Sequence, residues 1–198
     1  MASILNYFIF SFYMLSSLCI WRLMTNNEKT PYLQSLIWFL WIIAIFAHLY
    51  DLSFILSEQY SVDLSIYHAL SVVALIISIT LYISSIFGNT LFLGLIVLPI
   101  ISMVFIFDFA NKPVNVPLNN VVFIHVIISL ISYSILCLSA AQSLILKIQE
   151  KKLQSNNPIG IIASLPSLDL MDKLLFKILA LGVLFLSASL LSGFIFLE

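Results

Sequence analysis

The sequence predicts an all-α fold, a polytopic transmembrane helical bundle of about six spans with its N-terminus outside, and three observations carry that reading. The chain has 198 residues, of which 62% are hydrophobic and only 9% charged, whereas soluble domains carry about 25% charged residues. Its mean hydropathy is +1.15. Its apolar residues also fall in continuous runs of about 20, the length of a helix that crosses a hydrocarbon core about 30 Å thick. Eight cations and nine anions cannot clothe a water-facing surface, which excludes a soluble enzyme and a disordered chain. A net charge of -1 without a basic run excludes a nucleic-acid partner. A membrane β-barrel requires alternating apolar and polar residues, so helices are the spanning solution that remains.

Six apolar stretches follow in order: Ile4 to Met24, Tyr32 to Asp51, Leu64 to Phe87, Thr90 to Phe107, Asn120 to Leu146 and Leu174 to Leu197. The first has no basic residue ahead of it and carries Arg22 at its far end, so it reads as a retained helix rather than a cleaved signal. Thr25 to Pro31 forms a turn into the second. The third and fourth meet near Gly88 and Asn89. Pro99, inside the fourth, removes an N–H and frees a backbone carbonyl, which predicts a kink. Asp108 to Asn119, with Pro113 and Pro117, leads into the fifth, and Lys147 to Lys173 is the one long connection. With no repeat, low-complexity tract or soluble segment, residues 1–198 read as a single integral membrane domain. Arg22, Lys29, Lys147, Lys151, Lys152, Lys173 and Lys177 flank the first and fifth connections, and Lys112 alone lies opposite. That asymmetry puts the seven on the cytoplasmic side and the N-terminus outside.

Chemistry is sought among the polar exceptions. Cys19 and Cys137 lie inside apolar spans with no metal or redox spacing, and read as small core residues. No hydrolase elbow, phosphate loop, HExxH or deep acidic pair is present, so no catalytic residue is assigned. Histidines carry more information, because an ionisable group inside a bilayer is costly unless paired or functional. His48 sits about one turn before the expected end of the second span at Asp51, and His68 and His125 sit about one turn into the third and fifth. All three are therefore expected near one depth on the outer side, on separate helices. Two imidazoles on facing helices are natural axial ligands for haem iron, with apolar helix faces to hold the macrocycle. A histidine near a helix end also serves by bonding a carbonyl or the headgroup zone, and that structural reading stands beside the first. Zinc fits less well, since no carboxylate or thiolate completes a ligand set. Asp51 either orients the His48 ring or, the favoured reading, marks the membrane boundary. Trp21, Trp38 and Trp41 read as interfacial or lipid-facing. Tyr133 lies roughly 80° around the helix from His125, and Ser129, Ser132, Ser134 and Ser139 read as helix-packing residues.

The C-terminal half carries a family likeness. The string FIHVIISLISYSILCLSAAQ (Phe123 to Gln142), followed by LPSLDLMDKLLFKILALGVLFLSASLLSGFIF (Leu165 to Phe196), resembles the cytochrome c assembly membrane proteins of the CcsA/HemX type, nearest the YpjD-like inner-membrane branch. The shared pattern is a histidine opening a helix, a tyrosine two turns later, a Leu-Pro leader, and a closing helix with a Leu-Gly and a Ser-Gly. AHLYDL around His48 and SIYHALSVVALI around His68 agree more loosely. The resemblance implies a haem-binding or haem-handling protein of the bacterial inner membrane, with His48 and His125 at the family's intramembrane histidines and haem b as the bound molecule. His68 falls where this branch more often has Asn and is a third candidate. Membrane lipid, haem and other cytochrome assembly or membrane proteins are the implied partners. The tryptophan-rich WWD segment of the synthase members is missing, so enzyme activity is not expected, and relatives continue through further spans, which predicts a short form or a fragment. The competing reading is a non-catalytic scaffold or partner subunit with structural histidines, docking through the Lys147 to Lys173 connection and its IGII segment (Ile159 to Ile162). A small transporter rests on span count alone.

Overall fold

The computed structural model describes residues 2–25, 31–56, 61–63, 66–87, 90–110, 115–117, 120–154 and 165–196. Its helices are α1 (Ala2–Thr25), α2 (Pro31–Leu56), α3 (Ile66–Phe87), α4 (Gly94–Ser102), α5 (Asn120–Gln154) and α6 (Leu168–Phe196). All except α4 are long and apolar enough to cross a membrane. The protein is a multi-pass helical membrane bundle.

The fourth apolar stretch departs from a plain helix. α4 has nine residues and lies between 3₁₀ segments at Leu91–Leu93 and Met103–Ala110. Since 3₁₀ geometry rises about 2.0 Å per residue against 1.5 Å in an α-helix, residues 91–110 still extend about 35 Å. Pro99 explains the change. The carbonyl it orphans belongs to Leu95, four residues earlier, and the Ser17 hydroxyl of α1 donates to that oxygen at 3.0 Å. After the proline, the Met103 N–H faces the carbonyls of Pro99, Ile100 and Ile101, and the chain tightens into the 3₁₀ form.

Several helix ends lie beyond the apolar runs. α2 continues past Asp51 to Leu56, so Asp51 does not mark the helix end. α5 runs to Gln154 rather than Leu146, because Lys147, Glu150, Lys151, Lys152 and Gln154 are polar but strong helix formers. α6 begins at Leu168 rather than Leu174, with Asp169 in its first turn and its first bond running from the Met171 N–H to the Ser167 carbonyl at 3.0 Å. Both extensions shorten the long connection. Residues 155–164, which include IGII, lie outside the described residues, as do 26–30, Gly88, Asn89, Lys112, Pro113 and the last two positions.

Two short strands were not expected. β1 (Ser61–Asp63) pairs antiparallel with β2 (Asn115–Pro117), with Val62 opposite Val116. β1 follows α2 and β2 precedes α5, so the pair ties the second connection to the fourth and fixes both at one end of the bundle. The starts of α3 and α5 lie at that end. The other end carries Arg22, Lys147, Lys151 and Lys152.

The core lies among α1, α2, α3 and the fourth element, around Ile9, Tyr13, Ile20, Ile37, Trp41, Leu81 and Leu98. A Cβ on Gly94 would meet the Ile20 side chain at 2.8 Å, so glycine allows α4 to lie close against α1. α5 packs on α3, and α6 packs chiefly on α5. Ser132 donates to the Gly182 carbonyl at 3.1 Å, where a Cβ on Gly182 would meet Leu136 at 2.8 Å. Small residues thus set the closest approach of α5 and α6. Trp41 is fully buried rather than lipid-facing, and stacks with Trp38 while Tyr82 abuts both edge-on. Trp21 is half exposed, as expected for an outward-facing ring. Cys137 is exposed, not a core residue.

Candidate functional site

His48 lies eight residues before the end of α2, about 12 Å by helical rise, which is deeper than one turn because the helix outruns Asp51. Its ring is fully buried. Nδ1 meets the Tyr13 hydroxyl of α1 at 3.3 Å and Nε2 meets the Ser71 hydroxyl of α3 at 3.0 Å. Phe105, from the 3₁₀ segment after α4, abuts the ring edge-on with centroids 4.7 Å apart. One imidazole therefore joins four elements, and Tyr13 and Ser71 hold its two nitrogens, leaving neither to Asp51.

His125 is the sixth residue of α5 and is half-buried against α6. Its Nδ1 lies 2.8 Å from the Ser192 hydroxyl. Gly193 gives the ring room, since a Cβ there would come within 3.3 Å of the His125 Cε1. One turn along α5, Ser129 donates to the His125 carbonyl at 2.8 Å and meets the Ser189 hydroxyl at 2.6 Å. The packing role expected for Ser129 is present, but it adjoins the histidine as well.

His68 is the third residue of α3, half-buried, with its ring against Tyr67 at 5.2 Å between centroids. The three histidines do not share one depth. α3 and α5 run in the same direction and meet where Ser134 donates to the Val73 carbonyl at 3.4 Å. Counted back from that point, His125 lies about 10 Å nearer the strand-paired end than Ser71, the partner of His48. His48 belongs to the core of α1 to α4, and His125 to the α5–α6 pair. Tyr133 faces away from the packing and is exposed.

Sequence reasoning did not name Tyr13, Ser71, Ser189 or Ser192. A signal existed for one of them. Ser71, Ser78 and Ser85 recur every seven residues on α3, a spacing that returns to one helix face within about 20°, and all three are buried. Each meets a polar partner: Ser71 the His48 ring, Ser78 the Trp41 Nε1 at 2.9 Å, and Ser85 the Thr90 hydroxyl at 3.1 Å.

Fold and site together describe a class: a helical membrane protein whose interior holds imidazoles on hydroxyl partners. A model of the cytochrome c assembly protein family matches residues 48–198, from His48 to the last residue. The chain belongs to that family, which ties it to cytochrome c biogenesis. No curated protein and no solved structure matches it.

Proposed function

We propose that the protein is a non-catalytic haem-handling subunit of cytochrome c assembly in a bacterial inner membrane. In this reading His125 and His48 are offered to the iron of haem b near the outer face, with His68 as the third candidate. The observation that carries it is His125, a half-buried imidazole held at Nδ1 by Ser192, on a helix pair that the family match spans in full. Ligating histidines are commonly held this way through the second ring nitrogen. His48 fits less directly. Both its nitrogens are in hydrogen bonds, so it reaches a metal only by giving one up. Bound haem would supply an iron with axial positions for imidazole nitrogens; the chain's own part is to hold those rings and keep an apolar wall around them.

The test is an absorption spectrum of the detergent-purified protein from haem-replete membranes. A Soret band is expected, and it should be lost or shifted in His125→Ala. Colourless protein that also takes up no haem on reconstitution would overturn the reading. The full burial and double hydrogen bonding of His48 favour the second reading, a scaffold or partner subunit with structural histidines. A His48→Ala variant that melts earlier but keeps the parent spectrum would assign His48 to that role alone.

A further inference from the structure

We infer that the 3₁₀ segment Met103–Ala110 is a gate over His48 with Phe105 as its moving part: the 3₁₀ form closes over the imidazole, and recoil to an α-helix opens it. What the gate admits, the iron of haem, rests on the proposed role of His48; the gate itself does not.

Tyr13 and Ser71 reach the His48 ring from regular α-helices, α1 and α3. Phe105 reaches it from an eight-residue 3₁₀ segment, with centroids 4.7 Å apart. Runs of 3₁₀ longer than about 3–4 residues are uncommon because their hydrogen bonds are poorer than those of an α-helix, and beside an α-helix they often mark a hinge. The segment therefore has a second form close at hand. Its present register is visible in burial. Ser102 and Phe105 are buried, at 0% and 2%, whereas Met103 and Ile106 are exposed, at 53% and 41%. Residues three apart fall in line in 3₁₀ geometry, at about 120° per residue, while an α-helix turns about 100° per residue. Recoil of Met103 to Phe105 thus turns Phe105 by about 60° away from the Ser102 line. At an outer helix radius of about 5–6 Å, that turn moves the ring by about the same distance, enough to end its contact with His48. The motion belongs to the downstream side. Upstream, Gly94 lies against Ile20 and the Leu95 carbonyl is held by Ser17. Pro99 favours the closed form, since the α-helix that contains it gives way to the 3₁₀ segment four residues later. With Phe105 withdrawn, a metal has one hydroxyl to displace from the ring, and the Tyr13 contact, at 3.3 Å, is longer than the Ser71 contact at 3.0 Å. Phe105 and Pro99 are positioning residues that act through His48.

The experiment uses the full chain in detergent, treated with diethyl pyrocarbonate, which acylates neutral imidazole nitrogens; modification of His48 is followed by peptide mass spectrometry. Slow modification is expected in the parent. Phe105→Ala and Pro99→Ala should each react about 10-fold faster, because the rate follows the open fraction, and Phe105→Leu should keep most of the protection. Leu81→Ala removes a fully buried side chain from the same core and sets the level produced by loosening alone, which should stay near the parent. Unchanged His48 reactivity in Pro99→Ala, or an equal rise in Leu81→Ala, overturns the gate whatever hemin does. On titration with hemin, a bis-imidazole signal that is lost in His48→Ala should form faster in Pro99→Ala than in the parent. If the His48 rates move as expected while hemin binds no form of the protein, the gate stands and the haem reading falls.

Discussion

At the scale of single residues, the interior relies on short hydroxyls to satisfy larger polar groups. Tyr13, Ser71 and His48 form one such set, and each bond between them crosses from one helix to another. Interhelical hydrogen bonds inside membranes are worth about 0.6 kcal/mol on average, and leaving a buried donor or acceptor unsatisfied costs about 1–3 kcal/mol. Tyr13→Phe and Ser71→Ala are each expected to lower stability by about 0.5–1.5 kcal/mol, read as an earlier thermal transition in detergent. Because both act through one ring, the double variant should lose measurably less than the sum of the two. Strict additivity would show that the ring does not couple them. The histidines were legible in the sequence, since charge-capable groups are rare in such a composition. Of their serine partners, Ser71 left a signal in its seven-residue recurrence with Ser78 and Ser85, whereas Ser192 left none, because serine is common in these helices and serves packing just as well.

At the scale of elements, the number of apolar segments was legible and their ends were not. Hydropathy marks where a segment leaves the hydrocarbon, but a helix continues wherever its residues favour it, as Lys147 to Gln154 do in α5. The fourth element shows the opposite case, an apolar run that is not one regular helix. Pro99 was legible as a source of irregularity; that Ser17 would satisfy the Leu95 carbonyl was not, since it depends on how α1 and α4 meet. The pairing yields a specific expectation. Ser17→Ala should cost about 1–2 kcal/mol in the parent, where the Leu95 oxygen loses its donor. With Pro99→Ala in place, the restored N–H can take over, and the same Ser17→Ala change should cost less than about 0.5 kcal/mol. Equal costs in both backgrounds, measured by thermal denaturation, would mean that the proline is not what makes Ser17 necessary.

At the scale of the whole molecule, the strand pair and the lysines define two opposite ends. The expectation that Arg22 and the lysines around the fifth connection face the cytoplasm makes the β1–β2 end the outer one. In a background lacking Cys19 and Cys137, Val62→Cys and Val116→Cys should both react with a membrane-impermeant maleimide in intact bacterial cells. Lys152→Cys should react only after the cells are opened. Labelling of Lys152→Cys in intact cells with protection of the other two would invert the orientation. The strand pair itself was not legible, because three residues on each side of a long sequence gap give no pattern of their own.

The dominance of α5 in holding α6 has a consequence for the order in which the chain is made. The printed partners of His48, which are Tyr13, Ser71 and Phe105, all precede Asn111 and are synthesised before α5 begins. α5 then arrives at a wall already present in α3, and α6 follows, packing chiefly on α5. At about 5–20 residues per second, the interval between Ala110 and Phe196 lasts about 4–17 s. During those seconds the nascent protein already holds Tyr13, Ser71 and Phe105, the partners of His48, while His125 waits for Ser192 to emerge. The two imidazoles therefore meet their partners at different times, His48 before α5 is made and His125 only once α6 has followed it.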